Sequence, residues 1–211
     1  MKDNPKRVLE AIDEYAAEHE FMIHVGSDKA KIINNLILEN KPRVLVELGG
    51  YCGYSAIMFA DQMRAQAASA QTVEVYSLEK EEEFATIARD LTSLAGVQEY
   101  ITVITGDAGD SLKQLKKDGK IDHVDFLFLD HAEDLYARDL KVVMDELDLL
   151  RENACIVADN CKRPGAPEYL EYVNNHSDLR TRTLKALIMP GEFEVSIPAL
   201  RLVMQLLMML G

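Results

Sequence analysis

The stretch Val44–Ala56, VLVELGGYCGYSA, decides the fold. Its opening run of valine and leucine is typical of a strand that is buried on both faces of a sheet. Glu47 stands near the end of that run, and glycines follow at positions 49, 50 and 53. Because glycine lets the backbone turn tightly and approach a bound molecule, the stretch predicts a strand, a turn and a helix beside a ligand.

Segments of strand and helix character alternate after this stretch. Strands are predicted at residues 43–48, 72–78, 100–105, 124–130 and 154–159, and helices at 54–66, 81–95, 108–117, 134–149 and 167–175. This alternation predicts a doubly wound α/β fold with a mostly parallel sheet and right-handed crossovers. Residues 183–190 and 193–207 predict an antiparallel hairpin at one sheet edge, with its turn at Pro190-Gly191. Two helices are predicted before the first strand, the second with Ser27 as its N-cap.

Composition limits the partners and the compartment. The chain has 211 residues and a formal net charge of -13, so we expect a single domain over residues 1–211 that avoids nucleic acids and anionic membrane surfaces. Its odd number of cysteines, Cys52, Cys155 and Cys161, predicts reduced thiols and a cytoplasmic protein. The apolar run at residues 197–210 is too short and too polar to cross a bilayer.

Acidic side chains follow most of the predicted strands. The strand ends are Glu47–Tyr51, Glu79-Lys80, Gly106-Asp107, Asp130-His131 and Asp159-Asn160. Ligands of open α/β sheets bind at these ends. The turn after Glu47 lacks the GxGxxG spacing of dinucleotide sites, whereas Glu79 is placed to bind two ribose hydroxyls, which favours a cationic nucleoside such as S-adenosylmethionine. A nicotinamide-dependent oxidoreductase is a weaker alternative. In a purely structural interpretation, the glutamates are solvated, the glycines form a tight turn and no ligand binds.

The second set of strand-end residues has the chemistry of a metal site. Asp130, Asp159 and Asn160 offer two carboxylates and an amide oxygen. Such hard oxygen ligands suit Mg²⁺ and leave coordination positions for water and substrate. Asp159-Asn160 is also an ordinary turn sequence, so a purely structural role stays open.

Several motifs together resemble the animal and fungal type of catechol O-methyltransferase, and the match extends from Val8 to Gln205. The motifs are VLEAIDEY from Val8, VGSDKAKII from Val25, VELGGYCGYSA from Val46, LDH at 129–131, ADN at 158–160 and PGAPEYLEYV from Pro164. The resemblance implies a Rossmann-like methyltransferase fold with a seven-stranded sheet, an antiparallel last strand and extra N-terminal helices. It also implies S-adenosylmethionine and Mg²⁺ as cofactors and a catechol-like small molecule as the substrate.

The resemblance further implies roles for individual residues. The implied cofactor-binding residues are Val25, Glu47, Gly49, Tyr51, Ser55, Glu79, Lys80, Ala108, Asp130 and His131. Among them, Glu47 binds the methionyl amino group, Glu79 the ribose, and His131 lies beside the adenine. The implied Mg²⁺ ligands are Asp130, Asp159 and Asn160, and the implied substrate contacts are Phe21, Asn160, Pro164 and Glu192, with Glu194 as the alternative to Glu192.

The chain departs from the family pattern at the position of the general base. Glu133 stands where the family has a lysine that accepts the proton of the attacking hydroxyl, and Lys80 and Ala108 also differ from the usual residues near the cofactor. Three interpretations of Glu133 stay open. It is a base, or a surface replacement without a role in the reaction, or a residue that favours a cationic substrate or joins the metal ligands. Lys162 and Arg163 offer a positive charge nearby or are solvated. The rival to an enzyme is a protein that keeps the cofactor pocket without catalysis.

Overall fold

The computed structural model describes the backbone of residues 2–19, 21–68, 71–188 and 193–202, and the side chains of these residues apart from 163, 164 and 185–202. Helices and strands alternate through most of this part of the chain. The α-helices are α1 (Pro5–Glu18), α2 (Gly26–Asn40), α3 (Tyr54–Gln66), α4 (Glu82–Ala95), α5 (Ala108–Lys117), α6 (Tyr136–Lys141) and α7 (Pro167–Asn175). The strands are β1 (Val44–Leu48), β2 (Glu74–Glu79), β3 (Ile101–Thr105), β4 (Val124–Leu129), β5 (Leu150–Ala158), β6 (Leu179–Ile188) and β7 (Phe193–Leu202).

The strands form one sheet in the order β3-β2-β1-β4-β5-β7-β6. Strands β1 to β5 pair in parallel, whereas β7 is antiparallel to both β5 and β6. The predicted doubly wound, mostly parallel sheet is therefore confirmed. The chain winds outward from β1 through β2 to β3 and then crosses to β4 on the other side of β1. This reversal places the ligand-binding crevice at the carboxyl ends of β1 and β4.

The sheet is covered on both faces, which explains the nearly continuous apolar runs of the central strands. On β4, Phe126 and Phe128 belong to one core cluster with α1, α2 and α3, and the ring of Phe128 meets Phe59 edge-on at 5.3 Å. The alternate residues Leu127 and Leu129 belong to the second cluster, with α5, α6 and α7. Successive side chains of one strand thus point to opposite helical layers.

The antiparallel pairing of β6 and β7 confirms the predicted hairpin ladder. Its register extends from Leu179 opposite Leu202 to Ile188 opposite Phe193. Strand β6 begins at Leu179 rather than at the predicted residue 183, because its pairing with β7 continues to Leu179. The predicted turn at Pro190-Gly191 lies outside the described residues.

Two local predictions are wrong. Ser27 is not an N-cap: α2 already begins at Gly26, follows Val25, and has no side-chain capping hydrogen bond. The segment predicted as one helix at 134–149 is a 3₁₀ turn at Glu133–Leu135, then α6, then a π-helical turn at Val142–Glu146. Asp148, with φ of +46°, adopts the left-handed conformation that ends the helical path before β5.

Candidate active site

A cavity of about 580 Å³ opens at the carboxyl ends of the central parallel strands. The predicted cofactor residues in its lining are Val25, Gly49, Tyr51, Ser55, Glu79, Lys80, Ala108, Asp130 and His131. Glu47, the remaining one, is fully buried behind this lining and hydrogen-bonds to Ser55. The structure therefore brings the predicted cofactor residues together around one space.

The turn after β1 requires glycine where two strand ends meet. Gly49 has φ of +95°, and a Cβ atom there would lie 2.4 Å from the backbone oxygen of Asp130, at the end of β4. Hydrogen bonds from the Gly49 amide to the Leu78 carbonyl (2.8 Å) and from the Asp130 amide to the Leu48 carbonyl (2.9 Å) join three neighbouring strand ends. Gly49 therefore permits the close backbone contact that forms the floor of the cavity.

Glu79 accepts hydrogen bonds from two turns, one after β1 and one after β2. One carboxylate oxygen accepts the Tyr51 amide at 2.7 Å, and the other accepts the Glu81 amide at 2.9 Å. Because each carboxylate oxygen has two acceptor positions, these bonds leave capacity for ligand hydroxyls on the cavity side. The observed backbone contacts thus leave Glu79 acceptor capacity for the predicted ribose contact.

Glu47 is a buried carboxyl group held by uncharged donors. The hydroxyl groups of Ser55 and Ser77 both donate to it, the latter at 2.5 Å. Burial raises the pKa of Glu47 to about 7, against the opposing effect of these hydrogen bonds and with a smaller contribution from Glu79. Because burying an ionised carboxylate without a counter-charge is costly, the side chain favours the binding of a cationic ligand group.

The three predicted metal ligands lie at the ends of β4 and β5. Asp130 and Asn160 line the cavity, and Asp159 is buried, with one oxygen accepting the Asn160 amide at 2.8 Å. Burial and the neighbouring charge of Asp159 raise the pKa of Asp130 well above its usual range. Within the described residues no three His, Cys, Asp or Glu side chains form a metal-type cluster, so a metal here depends on the amide of Asn160. Two crowded carboxylates and an amide oxygen fit a hard divalent cation.

Lys29 contacts two of the predicted metal ligands and was not predicted from the sequence. Its ammonium group donates to the second carboxylate oxygen of Asp159 and, at 3.1 Å, to the side-chain oxygen of Asn160. The side chain is only 7% exposed. The available signal was its position in α2, on the same buried face as Ile33 and Leu36. A lysine on the apolar face of a helix needs a partner charge.

His131 is oriented by a network that also was not predicted. Its Nε2 atom lies 2.9 Å from a carboxylate oxygen of Asp139, which is fully buried, and its ring packs on Tyr136 at 5.0 Å. Arg138 donates to Asp139 at 2.7 Å and to Asp107, at the start of α5, at 2.9 Å. Burial alone would raise the pKa of Asp139, but the hydrogen bonds from His131 and Arg138 hold that pKa below its usual value.

The remaining predicted residues differ in their placement. Glu133 is partly buried and lines the cavity. Phe21, predicted as a substrate contact, is 67% exposed and is not part of this lining, which instead contains the nearby Ile23. The Pro164 side chain and all of Glu192 lie outside the described part of the chain, as does the side chain of Glu194. Lys162 is exposed.

Comparison with known sequences decides the family. A model of the O-methyltransferase family matches residues 3–183. The chain belongs to the O-methyltransferase family. The relationship predicted from the sequence motifs is therefore confirmed, and the matched range includes the cavity lining described above.

Relatives of this O-methyltransferase carry a more specific name. The catechol O-methyltransferase of Bos taurus is 39% identical over 174 residues, which are 82% of this chain and 61% of that protein. The catechol O-methyltransferase of Sus scrofa is 38% identical over 154 residues, 73% of this chain and 79% of that protein. The chain thus spans about three fifths of the length of the bovine relative.

A solved structure shows the same fold. The O-methyltransferase from Bacillus cereus, determined in complex with SAH, superposes with a TM-score of 0.77 and 23% sequence identity. The alignment covers 93% of this chain and 90% of that chain. The likeness extends over nearly the whole chain and agrees with the methyltransferase fold implied by the motifs.

Proposed function

We propose that this O-methyltransferase transfers a methyl group from S-adenosylmethionine to a hydroxyl group of a catechol-like small molecule, in a Mg²⁺-dependent reaction. The observation that carries the proposal is the convergence of two acidic sets on one cavity. Glu79 lines the cavity at the end of β2 with Glu47 buried behind the lining, and Asp130 and Asn160 line it at the ends of β4 and β5 with Asp159 buried beside them. The names of the bovine and porcine relatives support a catechol-like substrate.

One side of the cavity suits the cofactor. Glu47 offers a buried carboxylate to the ammonium group, Glu79 offers acceptor positions to the ribose hydroxyls, and His131 is held by Asp139 beside the proposed adenine position. Burial strengthens the attraction of Glu47 for a cation, because little solvent screens the pair. The SAH complex of the Bacillus cereus protein supports a cofactor of this type.

The other side suits a metal ion and the substrate. Asp130, Asp159 and Asn160 are the proposed ligands, and the last of these also faces the substrate. When bound, Mg²⁺ supplies positive charge that favours ionisation of the attacking hydroxyl group and aligns it with the methyl group. The rigid ends of β4 and β5 fix the ligand oxygens, and such positioning supplies much of the rate of a transfer reaction.

Glu133 is the proposed proton acceptor. Its carboxyl group is partly buried in the lining of the same cavity, within electrostatic reach of Asp130. General-base assistance contributes about 10²- to 10⁴-fold, so a weaker base slows turnover without abolishing it. A second candidate function, cofactor binding without catalysis, is favoured by one observation: this position holds glutamate where the family pattern has lysine.

The test is transfer of labelled methyl from S-adenosylmethionine to a simple catechol, with Mg²⁺ and with chelator. We compare the unaltered protein with Glu133→Lys, Glu133→Gln and the exposed control Glu83→Gln. Metal-dependent product from the unaltered protein, reduced at least about tenfold in Glu133→Gln and unchanged in Glu83→Gln, is the expected result. Cofactor binding without product in either the unaltered protein or Glu133→Lys would favour the second candidate.

We also propose that the protein is cytoplasmic and that its partner is a small molecule. Cys52 and Cys161 are buried free thiols, in keeping with a reducing compartment. Within the described residues, no helix combines the length and apolar content that a membrane crossing requires.

A further inference from the structure

Lys29 brings a positive charge to the proposed metal ligands from a distant part of the chain. It lies on α2, yet its ammonium group donates to Asp159 and, at 3.1 Å, to the side-chain oxygen of Asn160. The exposed fractions of the Lys29 and Asp159 side chains are 7% and 2%. This is a buried charge pair, and water solvates the charge of neither partner.

The charges around this pair explain why a cation is needed there. Asp130 lies close enough to Asp159 for the two carboxyl groups to repel each other, and Glu47 and Glu133 add negative charge. Lys29 acts in the opposite direction on Asp130. Its ammonium group therefore offsets part of the electrostatic cost of bringing these carboxyl groups together.

A metal ion and an ammonium group compete for the same acceptors. Mg²⁺ binds directly to carboxylate and amide oxygens, with a short and fixed geometry. The Asn160 amide donates to Oδ1 of Asp159, and Lys29 donates to the other oxygen, Oδ2. Lys29 also donates to Oδ1 of Asn160, the only acceptor atom of that side chain. A metal ion bound to these two oxygens would place a second positive charge against the ammonium group, and the repulsion between the two cations favours withdrawal of Lys29.

We propose that Lys29 is a tethered cation that occupies the oxygens of Asp159 and Asn160 in the metal-free protein and is displaced when a divalent cation binds. This inference rests on the proposed metal site and adds a regulator of its affinity. Lys29 stabilises the metal-free state and weakens metal binding by the same contacts. It is a positioning residue whose long, flexible side chain permits it to withdraw without moving α2.

The experiment uses Mn²⁺ as the probe and measures its dissociation constant by calorimetry and by the spin-resonance signal of free Mn²⁺. Lys29→Met is compared with Lys31→Met, a matched control on the same helix whose side chain is 75% exposed and pairs with Asp28. We expect Lys29→Met to bind Mn²⁺ at least about tenfold more tightly, because a charged hydrogen bond no longer competes. In chelator, Lys29→Met unfolds at a lower temperature than the unaltered protein, and Mn²⁺ raises that temperature by more than it does in the unaltered protein.

Lys29→Gln is a second variant in case Lys29→Met fails to fold, because glutamine keeps hydrogen-bond donors and removes the charge. It must also bind Mn²⁺ more tightly than the unaltered protein. Equal or weaker Mn²⁺ binding by the Lys29 variants overturns the displacement and leaves the metal site standing. If the unaltered protein and every variant fail to bind Mn²⁺, both the displacement and the metal part of the proposed function are wrong.

Discussion

The two acidic sides of the cavity hold their carboxyl groups in different ways. Glu47, on the cofactor side, receives hydrogen bonds from the uncharged hydroxyl groups of Ser55 and Ser77. Asp159, on the metal side, receives a hydrogen bond from the charged ammonium group of Lys29. Both carboxyl groups are buried, so the difference lies in the compensating charge and not in the exposure.

We propose that this difference suits one cavity to two kinds of cation. Without a counter-charge, Glu47 keeps a raised pKa of about 7 and gains a partner only when a ligand brings a positive group. Asp159 already has an internal cation in Lys29, and we propose that a metal ion has to compete with it. On this proposal, protonation of Glu47 controls binding of the cofactor, and displacement of Lys29 controls binding of the metal ion.

The largest expected effect is on the metal side. Asp159→Ala leaves the Lys29 ammonium group buried without its carboxylate, and removing one partner of a buried pair costs about 3–5 kcal/mol in the free energy of unfolding. Denaturant unfolding in chelator measures the loss. Asp61→Ala, which breaks the more exposed pair with Arg64, is the control and should cost no more than about 1 kcal/mol. Similar losses for both variants would mean that the buried pair has no special role.

The cofactor side should respond in affinity and not in stability. Glu47→Gln keeps the size of the side chain but removes the charge, so we expect S-adenosylmethionine to bind about a hundredfold more weakly at pH 8. The free protein becomes no less stable at that pH, because no ionised carboxylate is then buried. Calorimetric titration measures the affinity, with Glu83→Gln as the surface control. An unchanged dissociation constant in Glu47→Gln would remove Glu47 from the cofactor site.

Cofactor affinity should also depend on pH through Glu47. Because folding raises its pKa from 4.5 to about 7, the folded protein holds a proton that the unfolded chain has lost, and the stability contribution of Glu47 falls as pH rises through this window. S-adenosylmethionine favours the ionised form, so its affinity should rise by up to about tenfold per pH unit below 7 and level off above it. Calorimetry in two buffers of different ionisation heat detects the released proton. Glu47→Gln should abolish this release; release that persists in the variant must come from another group.

The smallest effect should come from one of the hydroxyl donors. Ser77→Ala removes the 2.5 Å hydrogen bond to Glu47, so it shifts the midpoint of the affinity profile upward by about one pH unit. The exposed Ser177→Ala is the matched control. A midpoint that stays in place would show that Ser77 does not stabilise the ionised form.

Much of this site follows from the sequence because it lies at the ends of strands. Parallel strands align their carboxyl ends, so Glu47, Glu79, Asp130 and Asp159 were expected at one edge from the alternation of elements alone. The chemistry of the side chains also predicted the ribose role of Glu79 and the metal site, whereas the methionyl role of Glu47 and the adenine role of His131 came from the family resemblance. The function of Glu133 follows from neither, because that position departs from the family pattern.

Lys29 and Asp139 could not be placed in the same way. Each acts through contacts with residues that are distant in the sequence or on another element: Lys29 with Asp159, and Asp139 with His131. Hydrophobic periodicity shows that Lys29 shares the buried face of α2, but it does not show which charge lies opposite. The misplaced end of the predicted helix at 134–149 has a similar origin, since the π-helical turn depends on local hydrogen bonding that periodicity does not report.

Burial raises the pKa of Glu47 to about 7, and we propose that a cationic ligand lowers it. The most direct measurement is a pH titration of the ¹³C-labelled Glu47 carboxyl carbon by NMR, assigned with Glu47→Gln, in the free protein and with S-adenosylmethionine. We expect a midpoint near 7 in the free protein and a clearly lower one with the cofactor. A midpoint near the ordinary value of 4.5 that the cofactor does not move would contradict it.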